Sequence, residues 1–194
     1  MLLKSEKPVN PVEPLLELDD AALVAQAVVE LPYVTCAYER LIKRYYPLIY
    51  RTCLGVLRSP EEAEEISQVV LLKVFNGLPK FEGRSTFKTW LITIVKNACF
   101  SRHQKLKLER ERFFELTDEK GDECNDQNDT SPESLWQDSF GSMVKNLSEE
   151  EQQILTLRFV SELSLAEIAV VMKIGLSATK MRFYRALEKL KEQV

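Results

Sequence analysis

Three times this chain places a serine three residues before a glutamate at the head of an apolar run: Ser59 with Glu62, Ser148 with Glu151, and Ser164 with Glu167. At that spacing the hydroxyl takes a free backbone N–H of a helix's first turn, and the carboxylate reaches back to the N–H of the serine. Pro60 fits the first helical position, where its missing donor costs nothing. No stretch alternates apolar and polar residues with period two, so the chain is predicted to be all-α. Asp19 or Asp20 is expected to cap a first helix, with Leu23, Val24, Ala27 and Val28 on one stripe. Thr35 opens a longer helix burying Leu41, Ile42, Tyr45, Ile49 and Cys53, which Pro47 is expected to bend. The helix from Pro60 should stop near Asn76 and Gly77, and another should begin near Thr86, burying Phe87, Leu91, Ile94 and Ala98.

Charge divides the chain. Residues 96–112 carry a net charge of +4 and residues 173–191 carry +5, while residues 115–138 between them carry −8 with few apolar groups. A segment of that composition cannot bury itself and is read as a flexible acidic linker, which could also serve simply as a solubilising loop. The overall charge of −4 thus conceals two basic surfaces suited to a polyanion. The expected organisation is a loose tail over 1–18, holding Pro8, Pro11 and Pro14, then a helical domain over 19–112, the linker over 113–131, and a second helical domain over 132–194.

Other classes are poorly served. Cys36, Cys53, Cys99 and Cys124 form no C-x-x-C, and His103 is the single histidine, so the reading is reduced thiols with no metal site. No cofactor motif is visible, and no nucleophile–base pair supports an enzyme. No uncharged run approaches the roughly 18 residues of a membrane span, and the expected location is the cytoplasm.

The last segment has helix-turn-helix grammar. Ser164 starts a short helix in which Ala169 permits close crossing, a turn follows at Gly175, and Ser177 is expected to cap the final helix. Winding at about 100° per residue puts Thr179, Phe183, Ala186, Leu187 and Leu190 on one buried stripe. Met181, Tyr184 and Arg185 lie opposite, flanked by Lys180 and Arg182. That outward set suits a DNA major groove, and it also suits a solvated basic helix.

The whole chain from about Asp19 to Leu190, apart from the linker, resembles an RNA polymerase sigma factor of the extracytoplasmic-function (ECF) group. SPEEAEEISQVVLLKVF is similar to the A-E-D-I-x-Q-E-x-F signature: Ala63, Glu64, Ile66 and Gln68 match, Glu65 stands for aspartate, and Val69 replaces glutamate. FKTWLITIVKN resembles the T-W-L-x-x-I-x-x-N run, and Glu167, Ile168, Ala169, Lys180, Arg182, Arg185 and Ala186 match the family's second region. The wording LSATKMR is similar to the branch typified by sigma factor X of pseudomonads.

The resemblance implies a first domain called region 2, a second called region 4, and core RNA polymerase (β′ and β subunits) and promoter DNA as partners. An anti-sigma factor is a common further partner in the family. It implies docking of core polymerase by Glu61, Glu64, Glu65, Ile66 and Gln68, and contact with the −10 element by Lys88, Trp90, Lys96, Asn97 and Arg102. Ser177, Lys180, Met181, Arg182, Tyr184 and Arg185 would meet the −35 element. Trp90, taken alone beside Leu91, reads first as a core residue, and the surrounding pattern reverses that reading. The competing function is a helix-turn-helix regulator that works without polymerase.

Overall fold

The computed structural model describes residues 18–116 and 147–192, with the backbone alone described over 114–116. The expected N-terminal tail (1–17), most of the acidic linker, the stretch 132–146 and Cys124 lie outside the described residues. Among the described residues there are seven α-helices and no strand: α1 (Asp20–Glu30), α2 (Cys36–Leu57), α3 (Pro60–Gly77), α4 (Phe87–Leu116), α5 (Glu149–Phe159), α6 (Leu165–Met172) and α7 (Leu176–Lys191). A short 3-10 turn, Leu78–Lys80, follows α3.

Each start has a chemical cause. Asp19 caps α1 by accepting from the Ala22 N–H at 2.8 Å, so Asp20 falls inside the helix. Ser148 and Ser164 form complete capping boxes with Glu151 and Glu167. Ser59 forms only half of one. Its hydroxyl receives the Glu62 N–H at 3.2 Å, but the Glu62 carboxylate is taken by Arg102 instead. Thr86 caps α4 by accepting from the Thr89 N–H at 3.2 Å. Pro47 lies within α2, which continues to Leu57 and closes on Arg58 in the left-handed conformation at φ 56°.

The first four helices bury one another. α2 contributes Leu41, Ile49 and Cys53, α3 contributes Ala63, Val70 and Val74, and α4 contributes Leu91, Ile92, Val95 and Cys99. Cys53 and Cys99 touch at 3.3 Å between their sulfurs, as free thiols. Burying a Leu, Ile or Val side chain is worth about 1.5–3 kcal/mol, so this apolar stripe is what holds the bundle together. α5, α6 and α7 pack around Ile154, Leu157, Leu163, Ile168 and Phe183, which are continuous with the same buried core. Lys189 near the end of α7 is clamped to Glu151 at 2.8 Å, and Arg182 to Glu150 at 2.6 Å.

Polar contacts join the two sets of helices as well. The end of α2 meets α5, where Thr52 and Ser161 bring their hydroxyl oxygens to 3.1 Å, and the start of α4 meets α6, where Thr89 donates to Glu167 at 3.2 Å.

Candidate nucleic-acid interface

The helix-turn-helix is α6, the turn Lys173–Gly175, and α7. The turn is possible because Lys173 takes the left-handed conformation at φ 55°, and its amide returns to the carbonyls of α6. Gly175 occupies the N-cap of α7 without any side-chain cap hydrogen bond. The expectation that Ser177 caps this helix is therefore corrected: Leu176 is already helical, which puts Ser177 one residue inside the first turn. The first turn has no side-chain cap, and Leu176 and Ser177 within it are exposed; an uncapped helix N-terminus is receptive to phosphate.

α7 divides its faces as its periodicity demands. Thr179, Phe183 and Ala186 are buried. Met181 is 58% and Tyr184 57% exposed, and Lys180 and Arg185 are exposed beside them. Arg182 is half-buried and committed to Glu150. One continuous outward face thus offers two exposed cations, a thioether and a phenol.

On α4 the picture is more interleaved. Trp90 is half-buried against Phe81 and Phe87, with ring centroids 5.1 and 5.8 Å away. It lies over Gly77, where a β-carbon would approach the indole to 3.2 Å; the missing side chain makes room for the ring. Asn97 is exposed, and its carbonyl accepts from Ser101 at 2.8 Å. Lys96 is half-buried, and desolvation, reinforced by the nearby Lys173 charge, holds its pKa below the usual lysine value. The Lys88 ammonium sits 3.5 Å from the Glu162 carbonyl oxygen.

Arg102 departs most from expectation. Its guanidinium is paired with Glu62 rather than presented to solvent, and that hydrogen bonding pushes the arginine's pKa up and the glutamate's down. A phosphate reaching Arg102 would have to compete with this partner.

The docking face of α3 is acidic and open. Glu61, Glu64, Glu65 and Gln68 are exposed, whereas Ile66 faces the core at 7% exposure, on the same stripe as Ala63 and Val70. Ile66 can support docking only through packing. Tyr46 donates to Glu64 at 2.9 Å, fixing the carboxylate that the resemblance singles out. Beside it, Leu72 is 65% exposed next to Tyr38, Ile42 and Phe75, an apolar surface that the charge pattern alone did not reveal. Its signal was present as the unpaired leucine on the outward side of α3.

Among the described residues no group of three or more His, Cys, Asp or Glu side chains could hold a metal, and no helix is long and apolar enough to cross a membrane.

Residues 41–109 match the family Sigma-70 region 2, and residues 144–192 match Sigma-70, region 4. The ECF RNA polymerase sigma factor SigW of Bacillus subtilis is 25% identical over 166 residues, covering 81% of this chain and 89% of that one. The RNA polymerase sigma-H factor of Pseudomonas aeruginosa is 27% identical over 165 residues, covering 78% and 83%. Among solved structures, the sigma factor RpoE of Bartonella quintana, determined with the anti-sigma factor NepR, shares the fold at a TM-score of 0.63 and 21% identity, covering 82% of this chain and 96% of that one. CnrH, determined with the cytosolic domain of CnrY, gives a TM-score of 0.64 at 18% identity, covering 90% and 96%. Both sigma-70 regions are present in their order along the chain and together span more than half of it, so the protein belongs to the sigma-70 family of RNA polymerase sigma factors, with homologues in the ECF group.

Proposed function

We propose that the chain binds core RNA polymerase and directs it to promoters with −35 and −10 elements, working in the cytoplasm as an ECF sigma factor of the sigma factor X type. The observation that carries this reading is the exposed face of α7, with Lys180, Met181, Tyr184 and Arg185 on one side of a helix-turn-helix, joined in one chain to a region 2 match. α7 enters the −35 major groove, where Arg185 can read a base edge and Lys180 holds phosphate. Region 2 supplies Trp90 and Asn97 for an unstacked base of the −10 element, an aromatic face for stacking and a carboxamide for pairing. Lys88 and Lys96 neutralise the adjoining backbone. The acidic face of α3, with Glu61, Glu64, Glu65 and Gln68, docks on the polymerase. Each half makes few contacts alone, and the polymerase converts them into one bivalent grip. RpoE was determined with the anti-sigma factor NepR and CnrH with the cytosolic domain of CnrY, which supports an anti-sigma factor as a further partner of this chain.

Size-exclusion chromatography with core polymerase tests the reading, followed by a gel-shift assay on promoter duplex with and without core. Co-elution, together with a shift that needs core, is expected. A sequence-specific shift by the chain alone, without co-elution, would instead make it a free-standing helix-turn-helix regulator.

A further inference from the structure

We propose that Cys53 on α2 and Cys99 on α4 form a reversible oxidation site, at which hydrogen peroxide converts the two thiols into a disulfide that staples α2 to α4. The site stands apart from the promoter and polymerase contacts proposed above.

The two sulfurs lie 3.3 Å apart, although 46 positions separate them along the chain. Carbon atoms pack at about 3.5–4.0 Å and sulfur is the larger atom, so the contact is tighter than core filling demands. A disulfide needs about 2 Å between its sulfurs, so from 3.3 Å each must move by less than about 1 Å to bond. Both residues are free thiols at 0% exposure within the apolar core. They join helices distant in sequence, which is where a cross-link restrains a chain most.

The pair is chemically unequal. Cys99 donates its S–H to the Cys53 sulfur. That hydrogen bond holds the Cys53 pKa below the ordinary thiol value, against the opposing effect of burial. The same bond, together with burial, pushes the Cys99 thiol up. Cys53 is thus the nucleophile and Cys99 the resolving thiol.

The Cys53 sulfur attacks one peroxide oxygen and the O–O bond breaks. The departing hydroxide takes the Cys53 proton and leaves as water, and Cys53 becomes a sulfenic acid. The Cys99 sulfur then attacks the Cys53 sulfur; the S–S bond forms, the S–O bond breaks, and the hydroxide leaves with the Cys99 proton as a second water. The two thiols have lost two electrons and two protons, and the peroxide has been reduced to two waters. Because hydrogen peroxide is close to water in size, local opening of the core suffices to admit it. A cleft of about 780 Å³ brings solvent to the residues that flank the pair: its walls include Val56, three positions beyond Cys53, and Phe100, next to Cys99. In a reducing compartment a disulfide of this kind is transient, and serves to register oxidant.

The test uses the full chain carrying Cys36→Ser and Cys124→Ser, which leaves only the pair. The folded chain is treated with hydrogen peroxide, then unfolded, alkylated and read by mass spectrometry. A loss of two hydrogens, one cross-linked peptide joining Cys53 to Cys99, and full recovery of both thiols with dithiothreitol are expected. The oxidised chain should also unfold at a urea midpoint at least about 0.5 M above that of the reduced chain. Cys99→Ser removes the resolving thiol and should leave Cys53 as a sulfenic acid that dimedone traps; trapping in Cys53→Ser instead would reverse the two roles. Recovery of both thiols unoxidised, or oxidation of one cysteine to a sulfinic acid with no cross-link, would overturn the site. A mapped disulfide without a rise in midpoint would overturn the staple. Should the double variant fail to fold, peptide mapping of the unaltered chain reads the same cross-link.

Discussion

Arg102 on α4 holds Glu62 on α3 in a two-pronged ion pair, Nε to one carboxylate oxygen at 2.6 Å and a terminal guanidinium nitrogen to the other at 2.8 Å. The side chains are 21% and 20% exposed, so solvent screens the pair only in part. Planar, bidentate pairs of this kind are the strongest surface contacts available. This one ties α3, proposed to dock on polymerase, to α4, proposed to contact the −10 element.

Glu62→Gln is expected to lower the stability of region 2 by about 1–2 kcal/mol at neutral pH, read from urea midpoints. The hydrogen bond from Arg102 holds the Glu62 pKa below its ordinary value of 4.5. The pair's stabilisation is therefore complete above that value and is lost as pH falls through the lower, folded-state value. The gap between wild type and Glu62→Gln should narrow below pH 4.5. A gap that stays constant into acid would show the pair contributes nothing.

Trp90 serves packing as well as chemistry, because Phe81 and Phe87 both lean on it. Trp90→Ala should cost about 2–4 kcal/mol of stability, whereas Trp90→Phe should keep most of it. If the indole also stacks on an extruded base, Trp90→Phe will still slow promoter opening, measured by permanganate reactivity of −10 thymines, by more than its small loss of thermal stability accounts for.

Local chemistry was legible in the sequence, and long-range chemistry was not. Ser148 and Ser164 declare their helices because cap and acid lie within four residues of each other. Ser59 looks identical, yet its glutamate is drawn off by Arg102, a residue 40 positions away. Ser177 has the composition of a cap, but the left-handed Lys173 ends the turn early and gives the position to Gly175. The division of α7 into a buried and an exposed face followed directly from helical period. The match of Thr52 with Ser161 spans 109 positions, and nothing in either neighbourhood marks it. Ile66 shows the remaining weakness: a family signature names the position, but only packing shows that it points inward.

Glu151 is 7% exposed, and its two oxygens each lie 2.8 Å from the Lys189 ammonium, with the Ser148 amide bonded to one of them. Burial alone would push this carboxyl's pKa up; Lys189 and Ser148 together bring it below its ordinary value. Lys189→Met should strand the carboxylate and destabilise region 4 by about 1–3 kcal/mol in chemical denaturation. The loss should shrink in acid, once the carboxylate is protonated. No change at neutral pH would contradict the assignment.

Arg185 is exposed on α7, opposite the buried stripe of Thr179, Phe183 and Ala186. Arg185→Ala should leave the thermal midpoint unchanged and weaken −35 recognition by about 1–3 kcal/mol, roughly fivefold to a hundredfold in promoter affinity of the holoenzyme. A midpoint shift with intact recognition would reverse the roles assigned to the two faces of α7.

The most direct measurement is run-off transcription, with core polymerase, this chain and a library of candidate promoters in one reaction. The account predicts discrete transcripts that disappear when the chain is omitted and fall sharply with Arg185→Ala. Core polymerase that yields the same products with or without the chain would contradict it.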